Sequence, residues 1–228
     1  MRVIGAIIKS PPIHACEGFA MFNSPVLDTT YVPWNKGCLI GQKPPLKLQE
    51  VWAIRYHLEQ KHKLDQLAMF NLAIDSKLRS CDLVSLRVSD VKKGSMILIR
   101  SQVIQRKTGQ PVRFEITEKT RKALSALISD KQLYQNDYLF KGRMSSSEHL
   151  STRQYSRIVH RWVSMIGLHS AAYGTHSIRR TKATLIYRRT RNLRAVQLLL
   201  GHSKLDSTVR YLGIELDDAL EIAEQTEV

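Results

Sequence analysis

Cysteine is scarce in this chain: Cys16, Cys38 and Cys81 are its 3 cysteines. They are odd in number, far apart and lack a Cys-x-x-Cys pair, which argues against a disulfide framework or a zinc knuckle and fits a reducing, cytoplasmic setting. Long apolar runs are also missing. No stretch approaches the ~18 residues of a membrane span, so no membrane partner is expected. The VIGAII run near the start is too short for a signal-peptide core and meets Lys9, Pro11 and Pro12. Acidic residues are few, 20 against 35 Lys and Arg, for a formal charge of +15. A surplus of that size favours a polyanionic partner, nucleic acid first. It is also uneven, because residues 214–228 hold 6 carboxylates and no Lys or Arg. Internal repeats and low-complexity tracts are not evident.

What is present divides the 228 residues unequally. Of the 7 prolines, 6 fall in the first 45 residues, in SPP, SPV, VPW and KPP, and the next 65 residues have none. Residues 1–45 therefore read as an irregular or extended arm, and 46–213 as one packed domain. Residues 214–228 read as an acidic tail helix, with Leu216, Leu220 and Ala223 on one face.

Within the domain the expected fold is mainly α with a small antiparallel β-sheet. Leu48, Val51, Trp52 and Leu58 mark one face of a first helix, and a second apolar helix runs from about Leu64 to Ile74, with Arg79 just beyond it. Met96 to Arg100 and Val112 to Ile116 read as strands, with Lys107-Thr108-Gly109 as the turn. A helix from about Glu118 to Lys131 and the polar loop MSSSEH precede a helix from about Thr152 to Ile166. On that last helix Arg153, Arg157 and Arg161 recur every four residues, opposite Tyr155, Ile158, Val159 and Trp162. Like charges at that spacing repel, so a docked polyanion explains the row better than a merely solvated face. Arg188, Arg189, Arg191 and Arg194 form a second basic group suited to phosphate contacts that position without reading sequence.

The chain is organised around the stretch that begins HSIRRTKATLIYRRT at His176. Three residues apart, His176 and Arg179 share a helical face, with Thr175 as a plausible N-cap. Leu193, Val196, Leu199 and Leu200 recur at helical spacing until Gly201 stops the helix and sets His202 on a turn. Asp206 or Ser207 then caps a short helix carrying Tyr211. Taken singly, Tyr155, Tyr173 or Tyr187 would serve as well as Tyr211, and position relative to Gly201-His202 decides between them.

Arg179, the LLGH sequence ending at His202, and the RY at Tyr211 resemble the catalytic half of the tyrosine recombinases, the phage integrase family. Upstream, LRSCDL supplies Arg79 and QRKTG supplies Lys107, in the family's order. The resemblance runs from about Pro45 to Ile214. Residues 1–45 leave no room for the separate helical domain that many members carry, so the short, catalytic-domain-only type is the expected match. It implies a site-specific DNA recombinase, an integrase or invertase, that works through a 3′-phosphotyrosine.

By that resemblance Tyr211 is the nucleophile, Arg79 and Arg179 hold the phosphate, His176 is the base, His202 is a further donor, and Lys107 protonates the leaving 5′-oxygen. No cofactor and no metal are implied. The implied partners are double-stranded DNA, further copies of the chain (a tetramer on paired sites) and accessory DNA-bending proteins. A type IB topoisomerase-like nicking and closing enzyme, or a non-catalytic DNA-binding regulator on the same scaffold, stays open at this point.

Overall fold

The computed structural model describes residues 42–142, 148–212 and 224. Nearly all of the expected arm and tail, and most of the MSSSEH loop, lie outside these residues. In chain order the elements are α1 (Leu48–Gln60), α2 (Leu64–Ser76), α3 (Ser80–Val84), α4 (Val88–Val91), β1 (Lys92–Lys93), β2 (Met96–Ile97), β3 (Arg100–Ile104) and β4 (Pro111–Glu115). There follow α5 (Glu118–Asp130), α6 (Thr152–Met165), a 3-10 turn (Ser170–Ala172), α7 (Thr175–Thr190), α8 (Leu193–Leu200) and α9 (Leu205–Leu212).

The central element is α2. Leu67 to Ser76 are all buried, as expected of a helix whose apolar residues surround it rather than forming one stripe. Around it pack α1, α5, α7 and β4. In α1 the buried stripe is Val51, Ile54 and Leu58. Leu48 and Trp52, expected on that face, are instead 56% and 46% exposed. The Trp52 ring lies under two cations, with Lys119 Nζ 3.8 Å and Arg55 Cζ 5.2 Å from its centre, which favours an indole at the surface.

The amphipathic helix α6 starts with a reciprocal cap, Ser151 Oγ accepting from Gln154 N and Gln154 Oε1 accepting from Ser151 N. It buries Trp162 edge-on to Phe70, with ring centres 5.2 Å apart. A second, smaller apolar cluster of Ala183, Tyr187, Val196 and Leu200 ties α7 to α8 and receives Tyr211 and Leu212 of α9.

The sheet differs from expectation. Gly94, at φ 60°, turns the chain so that Met96–Ile97 pairs with Lys92–Lys93. The hairpin strand opposite β4 begins only at Arg100, in antiparallel register from Arg100↔Glu115 to Ile104↔Pro111. Val112 and Phe114 of β4 face the core and Arg113 faces out, the alternation of a half-buried strand. Two helix starts also differ. Gly174 rather than Thr175 is the N-cap of α7, and its N–H donates to Ser177 Oγ. Helix α9 begins at Leu205, so Asp206 and Ser207 lie inside its first turn.

Gly201 ends α8 at φ 65°, and a Cβ placed there would meet Val112 Cγ2 at 2.3 Å and Gln105 Nε2 at 3.2 Å. Backbone strain and a clash with β4 therefore act together. Gly201→Ala is expected to cost about 2–4 kcal/mol, the left-handed cost plus overpacking, read as a lowered urea midpoint at unchanged m value. A cost under about 0.5 kcal/mol, the range of ordinary surface changes, would show that α8 and the hairpin do not depend on this close approach.

Candidate active site

Three helices meet at one side chain. Arg179 is only 5% exposed. Its Nε donates to the Lys77 carbonyl at 2.7 Å and its Nη2 to the Leu200 carbonyl at 2.9 Å. Those carbonyls end α2 and α8, where unpaired C=O groups and the helix dipole present partial negative charge. Lys77 is itself left-handed at φ 55° and Gly201 follows Leu200 at φ 65°. Two left-handed turns therefore aim two helix ends at one guanidinium. Burial lowers the Arg179 pKa, yet a guanidinium stays charged at any working pH.

Gln105, which the sequence reading did not single out, joins the rest. It is 1% exposed. Its Nε2 donates to the same Leu200 carbonyl at 3.1 Å, and its Oε1 accepts from Arg79 Nη1 and from Thr108 Oγ1. One amide thus connects Arg79, the Arg179 acceptor and the hairpin turn. The turn is held again where Asp82 Oδ1 accepts from Arg106 N at 2.9 Å. Lys107, between these anchors and the tip, is exposed, and its charge acts on His176.

Tyr211 sits against this cationic floor. The Cζ atoms of Arg179 and Arg180 lie 5.5 Å and 5.0 Å from its ring centre, and the His202 ring stands edge-on at 5.4 Å. The Tyr211 ring is half-buried, and its hydroxyl oxygen is buried beside the Arg180 guanidinium without a well-formed hydrogen bond. Burial pushes the phenol above its ordinary pKa, against the lowering effect of Arg179, Arg180 and Arg79. His202 is held to Thr208 Oγ1 by its Nδ1, and burial followed by the charges of Arg179 and Arg79 lowers it to about 4. His176 is exposed, and is lowered too, by partial desolvation and then by Arg179, Arg180, Arg79 and Lys107. Both imidazoles are neutral at pH 7.

His176, Arg180 and Tyr211 line one cleft of about 720 Å3, whose mouth carries Lys204, Asp206 and Arg210. A cleft of about 760 Å3 beside the hairpin, lined by Arg100, Gln102 and Arg113, touches none of the expected site residues. Of the six expected catalytic residues, Arg179 and His202 meet Tyr211, Arg79 joins them through Gln105, His176 shares the Tyr211 cleft, and Lys107 stands on the exposed turn. None of the expected DNA contacts lines that cleft. Arg153, Arg157 and Arg161 are exposed along α6, and Arg188, Arg189 and Arg191 are exposed at the far end of α7, about 18 Å along the helix from His176 at 1.5 Å per residue. Among the described residues no three His, Cys, Asp or Glu side chains cluster as metal ligands do.

Gln105→Leu removes the acceptor of Arg79 Nη1 and the brace of the turn. Amide exchange at Arg106 and Gly109 is expected to rise about 10-fold or more, the scale of losing a hydrogen bond to a charged group, while amides of α2 change less. A uniform rise across the domain would mean that Gln105 serves overall stability rather than the hairpin.

Comparison with known proteins gives the family and the fold. The phage integrase family profile matches residues 46–215. The probable integrase/recombinase YoeC of Bacillus subtilis is 29% identical over 175 residues, covering 77% of this chain and 91% of that protein. A tyrosine recombinase of Pseudothermotoga lettingae is 32% identical over 154 residues, covering 68% of this chain and 51% of that protein. The chain therefore spans nearly all of one relative and about half of the other. Among solved structures, XerA recombinase superposes with a TM-score of 0.65 at 21% identity, covering 81% of this chain and 66% of that one. XerH bound to palindromic difH in a post-cleavage complex gives 0.64 at 19%, covering 81% and 53%. With its domain matched from Leu46 past Tyr211 and its fold shared with these enzymes, the chain belongs to the phage integrase family of tyrosine recombinases.

Proposed function

We propose that this chain is a site-specific recombinase that cuts and rejoins double-stranded DNA through Tyr211. The observation that carries the reading is the buried, unpartnered Tyr211 hydroxyl set against the guanidiniums of Arg179 and Arg180, with Arg79 tied to the same floor through Gln105. Attack of the phenol oxygen on phosphorus forms the Tyr–O–P bond and breaks the P–O5′ bond, giving a 3′-phosphotyrosine and a 5′-hydroxyl. Charge grows on the non-bridging oxygens during this step, and Arg79 and Arg179 are fixed beforehand where it develops. With two guanidiniums in that role, the step needs no divalent metal.

His176, neutral at pH 7 because its pKa is lowered, accepts the phenol proton. When the Thr208 hydroxyl donates to His202 Nδ1, Nε2 carries the ring proton and is the donor to the phosphate. Lys107, on the exposed turn, delivers a proton to the leaving oxygen. Attack by the 5′-hydroxyl of a partner strand reverses the chemistry and exchanges strands. That exchange requires copies of the chain on paired sites, in keeping with solved relatives described as a recombinase on difH substrate and a lambda integrase dimer on a core site. Accessory DNA-bending proteins fit the same scheme, and the scarcity of cysteine fits a cytoplasmic setting.

Tyr211→Phe is expected to abolish covalent protein–DNA adducts while changing DNA affinity little, since it removes an oxygen and no charge. Excess chelator should leave adduct formation by the native protein unchanged. Adducts persisting in Tyr211→Phe would refute the nucleophile, and relaxation of supercoiled DNA without any exchange of strands would mark a nicking and closing enzyme instead.

Arg153, Arg157 and Arg161 are exposed and form no ion pair among the described residues. If each contacts a phosphate, replacing all three with Gln should reduce the slope of log K against log salt by about 2.7, at about 0.9 per contact. The cleavage rate on saturating DNA should be unchanged. An unaltered slope would remove α6 from the DNA interface.

A further inference from the structure

Adjacent residues on a helix point about 100° apart, so Arg179 and Arg180 face different surroundings. Arg179 spends its Nε and one Nη2 contact on the backbone carbonyls of Lys77 and Leu200. Arg180 faces the cleft that Tyr211 lines. Its Nη1 donates to the Lys43 carbonyl at 2.7 Å and its Nη2 to Gln42 Oε1. Its Nε is buried with no acceptor. Beside it, the Tyr211 hydroxyl oxygen is equally buried and equally unpartnered. The guanidinium carbon is 5.0 Å from the ring centre, nearer than that of Arg179. An orphaned donor and an orphaned acceptor thus belong to neighbouring side chains, and they are two of the four buried side-chain atoms without a partner among the described residues. Leaving a buried polar atom unpaired is unfavourable, so the arrangement calls for an explanation beyond packing.

We propose that Arg180 is a further catalytic residue: it stabilises the phenolate of Tyr211 as the proton leaves, through its free Nε and its charge. The proposal rests on Tyr211 being the nucleophile. The neutral phenol needs no such partner, and the anion, its oxygen buried, does. The two terminal nitrogens of Arg180 are anchored on Lys43 and Gln42, which leaves Nε as the donor not committed elsewhere. Gln42 adds a restraint from the other side, its Nε2 donating to the carbonyl of Arg210, the residue before Tyr211. The segment that holds Arg180 thereby also holds the helix bearing the phenol.

The charged and titratable groups around that phenol are His176, Arg179 and Arg180 from α7, His202 after α8 and Arg79 before α3. Lys43, Lys204, Asp206 and Arg210 stand at the cleft. Asp206 is the acid among them. Desolvation raises the phenol pKa and the guanidiniums lower it, so removing one guanidinium raises it further.

The test places 3,5-difluorotyrosine at position 211, whose phenol is more acidic than tyrosine's, and follows its ionisation by fluorine NMR in the free protein. Arg180→Gln is expected to raise the apparent pKa by about one unit or more, the effect of losing an opposite charge within about 4–6 Å. Arg180→Lys should give a smaller rise. With ordinary tyrosine at 211, Arg180→Gln should slow single-turnover cleavage at pH 7 about 10-fold at unchanged DNA affinity, and the difluorophenol should recover part of that loss. Arg180→Met, carrying the same expectation, replaces Arg180→Gln if the latter does not unfold cooperatively. An unchanged pKa in the neutral variant overturns the proposal, as does a loss of cleavage that the more acidic phenol leaves untouched. Failure of the nucleophile itself reads out separately, as adducts that survive Tyr211→Phe.

Discussion

A buried guanidinium is tolerable only where something repays its lost hydration, and in this domain the repayment for Arg179 comes from the ends of two helices. The carbonyls of Lys77 and Leu200 close α2 and α8, and both accept from Arg179. Neither carbonyl could point inward if its helix simply continued. The left-handed turns at Lys77 and Gly201 bend the chain away and leave the carbonyls exposed to the arginine. Moving either helix end by a turn would strand a charge in the core, at a cost of several kcal/mol. The position of Arg179 therefore depends on the main chain of two distant segments.

The turn at Lys77 needs its own support, because a left-handed conformation is unfavourable for any residue with a Cβ. The Lys77 side chain is buried and returns to its own segment. Its Nζ donates to the Asp75 carbonyl and pairs with Glu115 at 3.1 Å. Lys182, two residues beyond Arg180 on α7, bridges Asp75 and Glu115 at 2.7 Å and 2.6 Å. Asp75 also accepts from Thr117 and Thr120. Burial alone pushes both carboxyls up in pKa, but their lysine and hydroxyl partners outweigh it and hold them ionised. This network joins α2, β4, α5 and α7 around the segment from which Arg79 departs. The main chain on which Arg179 leans is thus braced by charge pairs that do not line the cleft.

Much of this was legible in the sequence, and what was missed has physical reasons. Helical spacing gave α6 and α8, because each buries a face at a period of 3.6, whereas α2 shows in the sequence as an apolar run buried all round. The order of Arg79, Lys107, His176, Arg179, His202 and Tyr211 carried the family. The strand start failed because apolar residues run on through Met96, Ile97, Leu98 and Ile99, and period two cannot say where pairing begins. Trp52 failed because periodicity treats an indole as core, without knowing that Lys119 lies across its other face. Gln105 and Lys77 left no signal at all: a lone glutamine at the end of a strand and a lysine after a helix are ordinarily solvated. Arg180 was hidden by its neighbour, since two adjacent arginines read as a basic run.

That last ambiguity is resolved by what each arginine touches. Arg79, Arg179 and Arg180 are at least half-buried, and each donates to a carbonyl or amide oxygen of the protein. Such bonds fix the guanidinium in place while leaving its full charge, because a neutral acceptor cancels none of it. Arg153, Arg157, Arg161, Arg188 and Arg189 are exposed and unpaired with any acid among the described residues. The first group suits a transition state, which needs charge at a fixed point. The second suits a flexible polyanion, where the gain comes from released counterions and tolerates imprecise placement. One residue type thus stands in two kinds of surroundings, and burial against neutral oxygens is what separates them. Net charge alone, read from the sequence, counts both groups alike.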